Sequence, residues 1–253
     1  MKRNSTLGLK RLVPDSGLAV KVQKYKLKRW CTVNISKLRG GSIKRRHRDC
    51  YKIKICIFMT ISMNLPQVIT PKRHFDDRGW FSETFREMRL RDIGIPCRFV
   101  QENQSYSKDA GTLRGMHFQV PPAAQAKLIA VLRGRIYDVA VDVRRNSPTY
   151  GKFVSTELSA ESGRQMYVPV GFAHGFLTLE DDVRVLYKVS EYYAPEYESG
   201  IRWNDPEVAM PWPVNDADII LSDKDRRLSL LKEFSSPFEY DGAPLGALIE
   251  REL

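Results

Sequence analysis

Residues 114–128 read R-G-M-H-F-Q-V-P-P-A-A-Q-A-K-L. The run sets an arginine, a histidine, a glutamine and a lysine among apolar residues, with a Pro-Pro pair between them. Taken as strand, turn and strand, the alternation of side chains brings Arg114 and His117 toward one cavity, with Lys127 returning from the next strand. The step from Arg114 to His117 is not even, and Gly115 supplies a place for a bulge that re-aims the side chains. A base beside two cations can hold an anion and abstract a proton. The same letters also describe a half-exposed strand pair with solvated charges, and this stretch alone does not separate the two.

Outward from it the chain keeps the texture of a β protein. β-rich runs recur at residues 67–71, 79–85, 98–105, 112–119, 127–133, 135–143, 153–158, 164–169, 173–178 and 183–189. Turn-forming clusters such as D-D-R-G, D-A-G, N-S-P-T-Y-G and P-V-G separate them. Many short strands at near-regular spacing predict a sandwich or barrel. Residues 87–93 read as a helix. The R-G-R at 133–135 predicts a tight hairpin with Gly134 at a positive φ. A second helix is expected over 223–234, with Leu228, Leu231 and Phe234 on one side. The stretch from Ser235 onward is expected to be peripheral.

Charge divides the chain in two. Of 41 Lys and Arg and 30 Asp and Glu, residues 1–62 hold 17 and 2, which leaves 24 and 28 for the remainder. The net charge of +11 therefore belongs to the first segment and does not point the remainder toward nucleic acid. For residues 1–62 a nucleic-acid arm, a targeting leader and a membrane-surface segment are the functional readings. The favoured expectation is an extension translated from an early start, disordered or not part of the working protein, with Met63 as initiator and residues 63–253 as the domain. Cys31, Cys50 and Cys56 lie in the basic segment and Cys97 beyond it. With no C-x-x-C pair and no even framework, neither a disulfide scaffold nor a zinc knuckle is indicated, and a reducing, cytoplasmic setting is expected. A membrane span needs about eighteen apolar residues in a row, and no such run exists.

The histidines are His47, His74, His117 and His174. His47 lies in the basic arm and His74 in an expected surface turn. His117 and His174 stand in apolar, strand-like settings, M-H-F-Q and F-A-H-G-F, where a hydrogen-bonded core role competes with a catalytic one. Jelly-roll metal sites use a close His-x-His pair, or two histidines and a carboxylate. Gln119 stands where the second histidine would be, so metal-free acid–base chemistry is expected. Tyr187 ends a strand, E-Y-Y-A-P-E-Y-E-S-G supplies Tyr192, Tyr193 and Glu198 in a loop, and L-S-D-K-D brings Lys224 and Asp225. By residue type these remain packing tyrosines and solvated charges.

In order and spacing, the runs F-D-D-R-G-W-F-S-E-T-F, Q-E-N-Q-S-Y-S, G-T-L-R-G-M-H-F-Q-V-P-P-A-A-Q-A-K-L, D-V-A-V-D-V-R-R-N-S-P-T-Y-G, Y-V-P-V-G-F-A-H-G-F-L-T-L, Y-Y-A-P-E-Y-E-S-G-I-R-W-N-D-P and L-S-D-K-D resemble the dTDP-4-dehydrorhamnose 3,5-epimerase family of the cupin superfamily. The resemblance covers about residues 68–230. It implies an all-β, cupin-type jelly roll with a few short helices, usually a homodimer. It also implies conversion of dTDP-4-dehydro-6-deoxy-D-glucose to dTDP-4-dehydro-L-rhamnose without a cofactor, in dTDP-L-rhamnose biosynthesis. The C4 ketone acidifies the protons on C3 and C5, so each centre inverts by removal from one face and return from the other.

Carried over, His117 resembles the family's base, Asp225 its orienting carboxylate, Tyr187 the acid and Lys127 the cation facing the enolate. Arg114 and Arg78 resemble the cations that hold the sugar nucleotide. Glu83, Gln101, Asn103, His174, Glu198 and Lys224 match substrate contacts, and Tyr193 matches a ring that stacks on thymine. In the family the early segment with Arg78 and Glu83 reaches the partner subunit. S-D-K-D replaces the commoner S-E-K-D, and the basic extension has no counterpart in the family pattern. Inversion of one centre only, on a related nucleotide 4-keto sugar, uses the same residues. A cupin-like binding protein with a nucleic-acid arm would rest on residues 1–62, and a non-catalytic module would be expected to lose His117, Tyr187 or Lys127. None is lost.

Overall fold

The computed structural model describes residues 64–253, so the readings of residues 1–62, including His47, lie outside the described residues. Among the described residues thirteen strands follow one another: β1 (Gln67–Thr70), β2 (Arg73–Asp76), β3 (Gly79–Ser82), β4 (Gln101–Ser107), β5 (Leu113–Gln119), β6 (Lys127–Arg133), β7 (Arg135–Asp142), β8 (Phe153–Ser159), β9 (Gln165–Val168), β10 (Phe172–Thr178), β11 (Val183–Val189), β12 (Glu198–Gly200) and β13 (Ile249–Glu252). Helix α1 (Glu87–Asp92) precedes β4, and the single turn α2 (Asp223–Arg226) follows β12. The order β13-β1-β9-β6-β11-β4 makes a six-stranded sheet, and β12-β5-β10-β7-β8 a five-stranded one. Strands β2 and β3 form a separate hairpin. This is the jelly roll that the resemblance implies, and it meets the sandwich or barrel expected from the many short strands. Among the described residues no helix is long and apolar enough to cross a membrane.

From β4 onward every step between consecutive strands changes sheet, except β7 to β8. Neighbours in sequence are thus seldom neighbours in a sheet, and this corrects one expectation. Gly134 does take a positive φ, +79°, but the turn at 133–135 is not a hairpin. Strand β6 pairs with β9 and β11, whereas β7 pairs with β10 and β8, so Gly134 turns a corner between sheets. A Cβ there would stand 2.7 Å from Val183 Cγ2, which leaves room only for glycine.

The five-stranded sheet is covered on both faces, so its central strand β10 is buried throughout, β7 nearly so, and their alternation shows only in what each residue meets. On β7 and β10, Val139, Val141, Ala173 and Leu177 join an outer core with Ile201, Trp212, Leu231 and Phe238. Their alternates Ile136, Ala140, Phe172 and Phe176 face the other sheet and meet Ile129, Val131, Val183 and Val185. Burying side chains of this kind contributes about 1.5–3 kcal/mol each.

The C-terminal region departs from expectation twice. The helix predicted over 223–234 stops after Arg226, because tertiary partners take the backbone groups that would continue it. Arg202 N–H donates to Ser229 O at 2.8 Å, and Leu231 N–H donates to Asp205 Oδ2 at 2.7 Å. A 3-10 turn at Leu231–Glu233 follows. The stretch from Ser235 onward is not peripheral. Phe238 and Ala243 are buried, Arg144 donates to Asp241 at 2.8 Å, and β13 pairs parallel with β1 at the sheet edge.

Candidate active site

One end of the space between the sheets is polar, and strand parity explains which side chains reach it. On β5, Leu113, Met116 and Phe118 pack in the outer core, so Arg114, His117 and Gln119 face the interior. Arg114 and His117 are three apart, and strict alternation would have sent them to opposite faces. A bulge corrects the phase. Against β10, His117 pairs with His174 and Arg114 with Phe176, so two residues on β5 oppose Gly175 alone. Gly115 has φ +134°, and a Cβ on it would lie 2.4 Å from Gly175 Cα. The glycine that re-aims Arg114 is therefore also required by close approach.

A cavity of about 340 Å³ results. Arg114, His117, His174 and Glu198 reach it from the five-stranded sheet, and Asn103, Lys127 and Tyr187 from the six-stranded one. Lys224 and Asp225 enter from α2, and Tyr193 from the segment between β11 and β12. Glu198, expected in a loop, is the first residue of β12 and lies opposite Gln119 of β5.

His117 Nε2 lies 2.6 Å from Asp225 Oδ1. Asp225 is placed by its helix: its N–H donates to the Ser222 hydroxyl at 3.1 Å, an N-terminal cap. Burial acts upward on the Asp225 carboxyl, but the His117 ring, the Ser222 hydroxyl and the Lys224 charge outweigh it and hold it below the ordinary aspartate range. Lys127 Nζ donates to His117 O at 3.0 Å. Burial brings this lysine down from 10.5 to about 8, against the pull of Glu198 and Asp138. Burial pushes the Tyr187 phenol upward, against the Ser105 hydroxyl and the Arg114 charge, so it stays protonated at neutral pH.

A second histidine–carboxylate pair lies deeper. His174 Nε2 is 2.6 Å from Asp138 Oδ1, with His174 4% exposed and Asp138 fully buried. Desolvation lowers the His174 pKa against the opposing pull of Asp138. At the rim, Tyr193 Oη donates to Glu198 Oε2 at 2.7 Å, and Lys224 Nζ stands 2.5 Å from the same oxygen. Burial acts upward on Glu198, and Lys224 and Tyr193 outweigh it to lower its pKa. The Arg114 guanidinium is fixed by donation to Ser107 Oγ at 3.2 Å and Tyr106 O at 3.0 Å.

Three expected residues are not brought to this chain's own cavity. Arg78, on the β2–β3 hairpin, is 89% exposed and pairs with Asp76 at 2.6 Å. Glu83 pairs with Arg86 and Arg89 on a separate surface pocket. Gln101 lies behind the lining, where its amide donates to Asn103 and accepts from Tyr193 N–H. Conversely, Asp138 escaped the sequence reading. Its signal was an acid inside the otherwise apolar alternation of D-V-A-V-D. Gln119 and Gln125 also line the cavity, and the resemblance gives neither a role. Among the described residues no group of three His, Cys, Asp or Glu side chains is arranged to hold a metal ion.

Fold and site together define a class: a jelly-roll protein whose two sheets enclose histidine–carboxylate pairs, a desolvated lysine and a buried phenol, groups suited to acid–base chemistry. The family model described as dTDP-4-dehydrorhamnose 3,5-epimerase matches residues 62–233. The chain belongs to this family. It is similar to the dTDP-4-dehydrorhamnose 3,5-epimerase of Sinorhizobium fredii NGR234, 46% identical over 183 residues, covering 72% of this chain and 93% of that protein. Among solved structures, the Bacillus anthracis epimerase with TDP and PPi bound is 51% identical with a TM-score of 0.63, covering 65% of this chain and 93% of that one. The Legionella pneumophila enzyme in complex with dTDP-4-keto-L-rhamnose is 42% identical with a TM-score of 0.66, covering 70% and 94%.

Proposed function

We propose that the chain epimerises dTDP-4-dehydro-6-deoxy-D-glucose at C3 and C5 to dTDP-4-dehydro-L-rhamnose, in dTDP-L-rhamnose synthesis. One observation carries the reading. The candidate base and the candidate acid come from opposite sheets, His117 from β5 and Tyr187 from β11, and both line one cavity. A ring held between them can lose a proton on one face and regain it on the other. Inversion next to a ketone requires this.

His117 acts as the base. With Nε2 engaged by Asp225, the nitrogen left for exchange is Nδ1, and the carboxylate stabilises the imidazolium that forms. Lys127 supplies the positive charge for the enolate oxygen, an electrostatic role strengthened where water is excluded. Tyr187, kept protonated by burial, returns the proton from the opposite face. Each acid–base role is worth about 100- to 10,000-fold in rate. The fixed fork of Arg114 suits the sugar nucleotide and its pyrophosphate. Asn103, His174, Glu198 and Lys224 contact the substrate, Gln101 supports this lining, and Tyr193 stacks on the thymine.

Arg78 and Glu83 complete the site of a second copy in a homodimer. The hairpin that carries Arg78 also exposes Phe75, Trp80 and Phe81, which are 74%, 52% and 72% accessible, a surface suited to burial against a partner. The cysteine usage fits work in a reducing cytoplasm.

The decisive experiment incubates the full chain with dTDP-4-dehydro-6-deoxy-D-glucose in deuterated water and follows C3 and C5 by NMR. Deuterium entry with inversion at both centres is expected. Entry at one centre reduces the activity to a mono-epimerase, and entry at neither overturns it.

A further inference from the structure

Gln119 occupies the place of a metal-binding histidine, and its hydrogen bonds give it another task. Residues 190–197 connect β11 of one sheet to β12 of the other at the cavity end, and they carry Tyr193. The first part of this strap is held largely by side-chain amides. Gln125 Nε2 donates to Glu191 O at 2.7 Å. Gln119 Nε2 donates to Tyr192 O at 3.1 Å, and its Oε1 accepts from Ala194 N–H at 2.9 Å. Tyr193 N–H donates to Gln101 Oε1 at 3.0 Å. The second N–H of Gln119 donates to Ala123 O at 2.6 Å, tying the strap to the loop that follows β5.

Gln119 is 3% exposed, and its carbonyl oxygen and both amide hydrogens are engaged with backbone. Only a primary amide can donate twice and accept once from this position. A histidine or carboxylate cannot, and a carboxylate would face two carbonyl oxygens.

We infer that Gln119 is a positioning residue that sets Tyr193 over the nucleotide end of the cavity by clamping the strap on both sides of that residue. The inference rests on the reading of Tyr193 as the platform for the base. Gln119 thus governs nucleotide affinity and leaves proton transfer to His117 and Tyr187.

The test measures binding of dTDP by calorimetry, and kcat and KM with the 4-keto sugar nucleotide, for the native chain, Gln119→Leu, Tyr193→Ala and the double variant. Gln119→Leu should weaken dTDP binding and raise KM by roughly 10-fold, the scale for buried carbonyls left unpaired, with kcat nearly unchanged. The double variant should bind dTDP no more weakly than Tyr193→Ala alone, because Gln119 acts through Tyr193. Multiplying effects, an unchanged dTDP affinity, or a loss confined to kcat would each overturn the inference. If Gln119→Leu does not fold, Gln119→Glu in the same cycle carries the test, with the same expected pattern. Native chain that binds dTDP but does not turn over the sugar would count against the epimerase reading and leave the binding cycle to judge the clamp.

Discussion

The two histidine–carboxylate pairs are alike in bond and unlike in setting. In each, Nε2 lies 2.6 Å from Oδ1 of an aspartate. His117 keeps 26% of its side chain exposed toward the cavity, whereas His174 keeps 4%. The partner of His117 arrives from α2, 108 positions later, while that of His174 comes from β7, the adjacent strand of the same sheet. Desolvation holds His174 toward its neutral form, where its N–H serves a fully buried carboxylate. Local chemistry is therefore a poor guide to role. Access separates the roles proposed for them: the open pair exchanges protons, and the closed one holds His174 against Asp138 as a substrate contact in the cavity wall.

Replacing the two histidines separately tests this contrast most strongly. His117→Ala should cut deuterium exchange and epimerisation by about 100- to 10,000-fold, with the urea midpoint close to native. His174→Ala should show its main loss in stability, about 3–5 kcal/mol, the scale for a buried pair that loses one partner. The opposite pattern, with His117→Ala unstable but active, breaks the comparison. Asp225→Asn should then lower kcat by roughly 10- to 150-fold, because a hydrogen bond to a charged group is worth about 1.5–3 kcal/mol. Steady-state kinetics on the folded variant would show it.

The smallest effect concerns pH. A Lys127 value of about 8 means that the cation is complete below that pH and is lost as pH rises through it. The rate should fall on the alkaline side near 8, and not near the ordinary lysine value of 10.5. The stability sign is separate. The desolvation penalty on the charged form is full below about 8 and fades as pH approaches 10.5, where the unfolded chain also loses its proton. In Lys127→Arg, whose guanidinium keeps its charge, the limb should move upward.

Most strands stand within a few residues of the β-rich runs between turn-forming clusters, because strand and turn preferences follow from local backbone geometry. The bulge at Gly115 was legible for the same reason: an odd step between two polar residues beside a glycine. Pairing was less legible. R-G-R at 133–135 has the letters of a hairpin, yet strands on either side belong to different sheets. The tail from Asp223 has the letters of one helix, since nothing in them shows that Asp205 and Arg202 take its backbone groups. The edge strand β13 was missed because its partner, β1, lies at the other end of the domain.

By itself, then, the sequence determined the β texture and the place of most strands, and it offered Arg114, His117 and Lys127 as a cluster without separating a site from a charged strand pair. The matching runs added Tyr187 and Asp225. Only the tertiary structure decided that Asp138 serves His174, that Gln119 clamps the strap, and that Arg78 and Glu83 stay outside this chain's cavity. The physical reason is connectivity. Side-chain direction along a strand is set over two or three residues, whereas pairing, burial and hydrogen-bond partners depend on segments that meet after almost every connection has crossed between sheets.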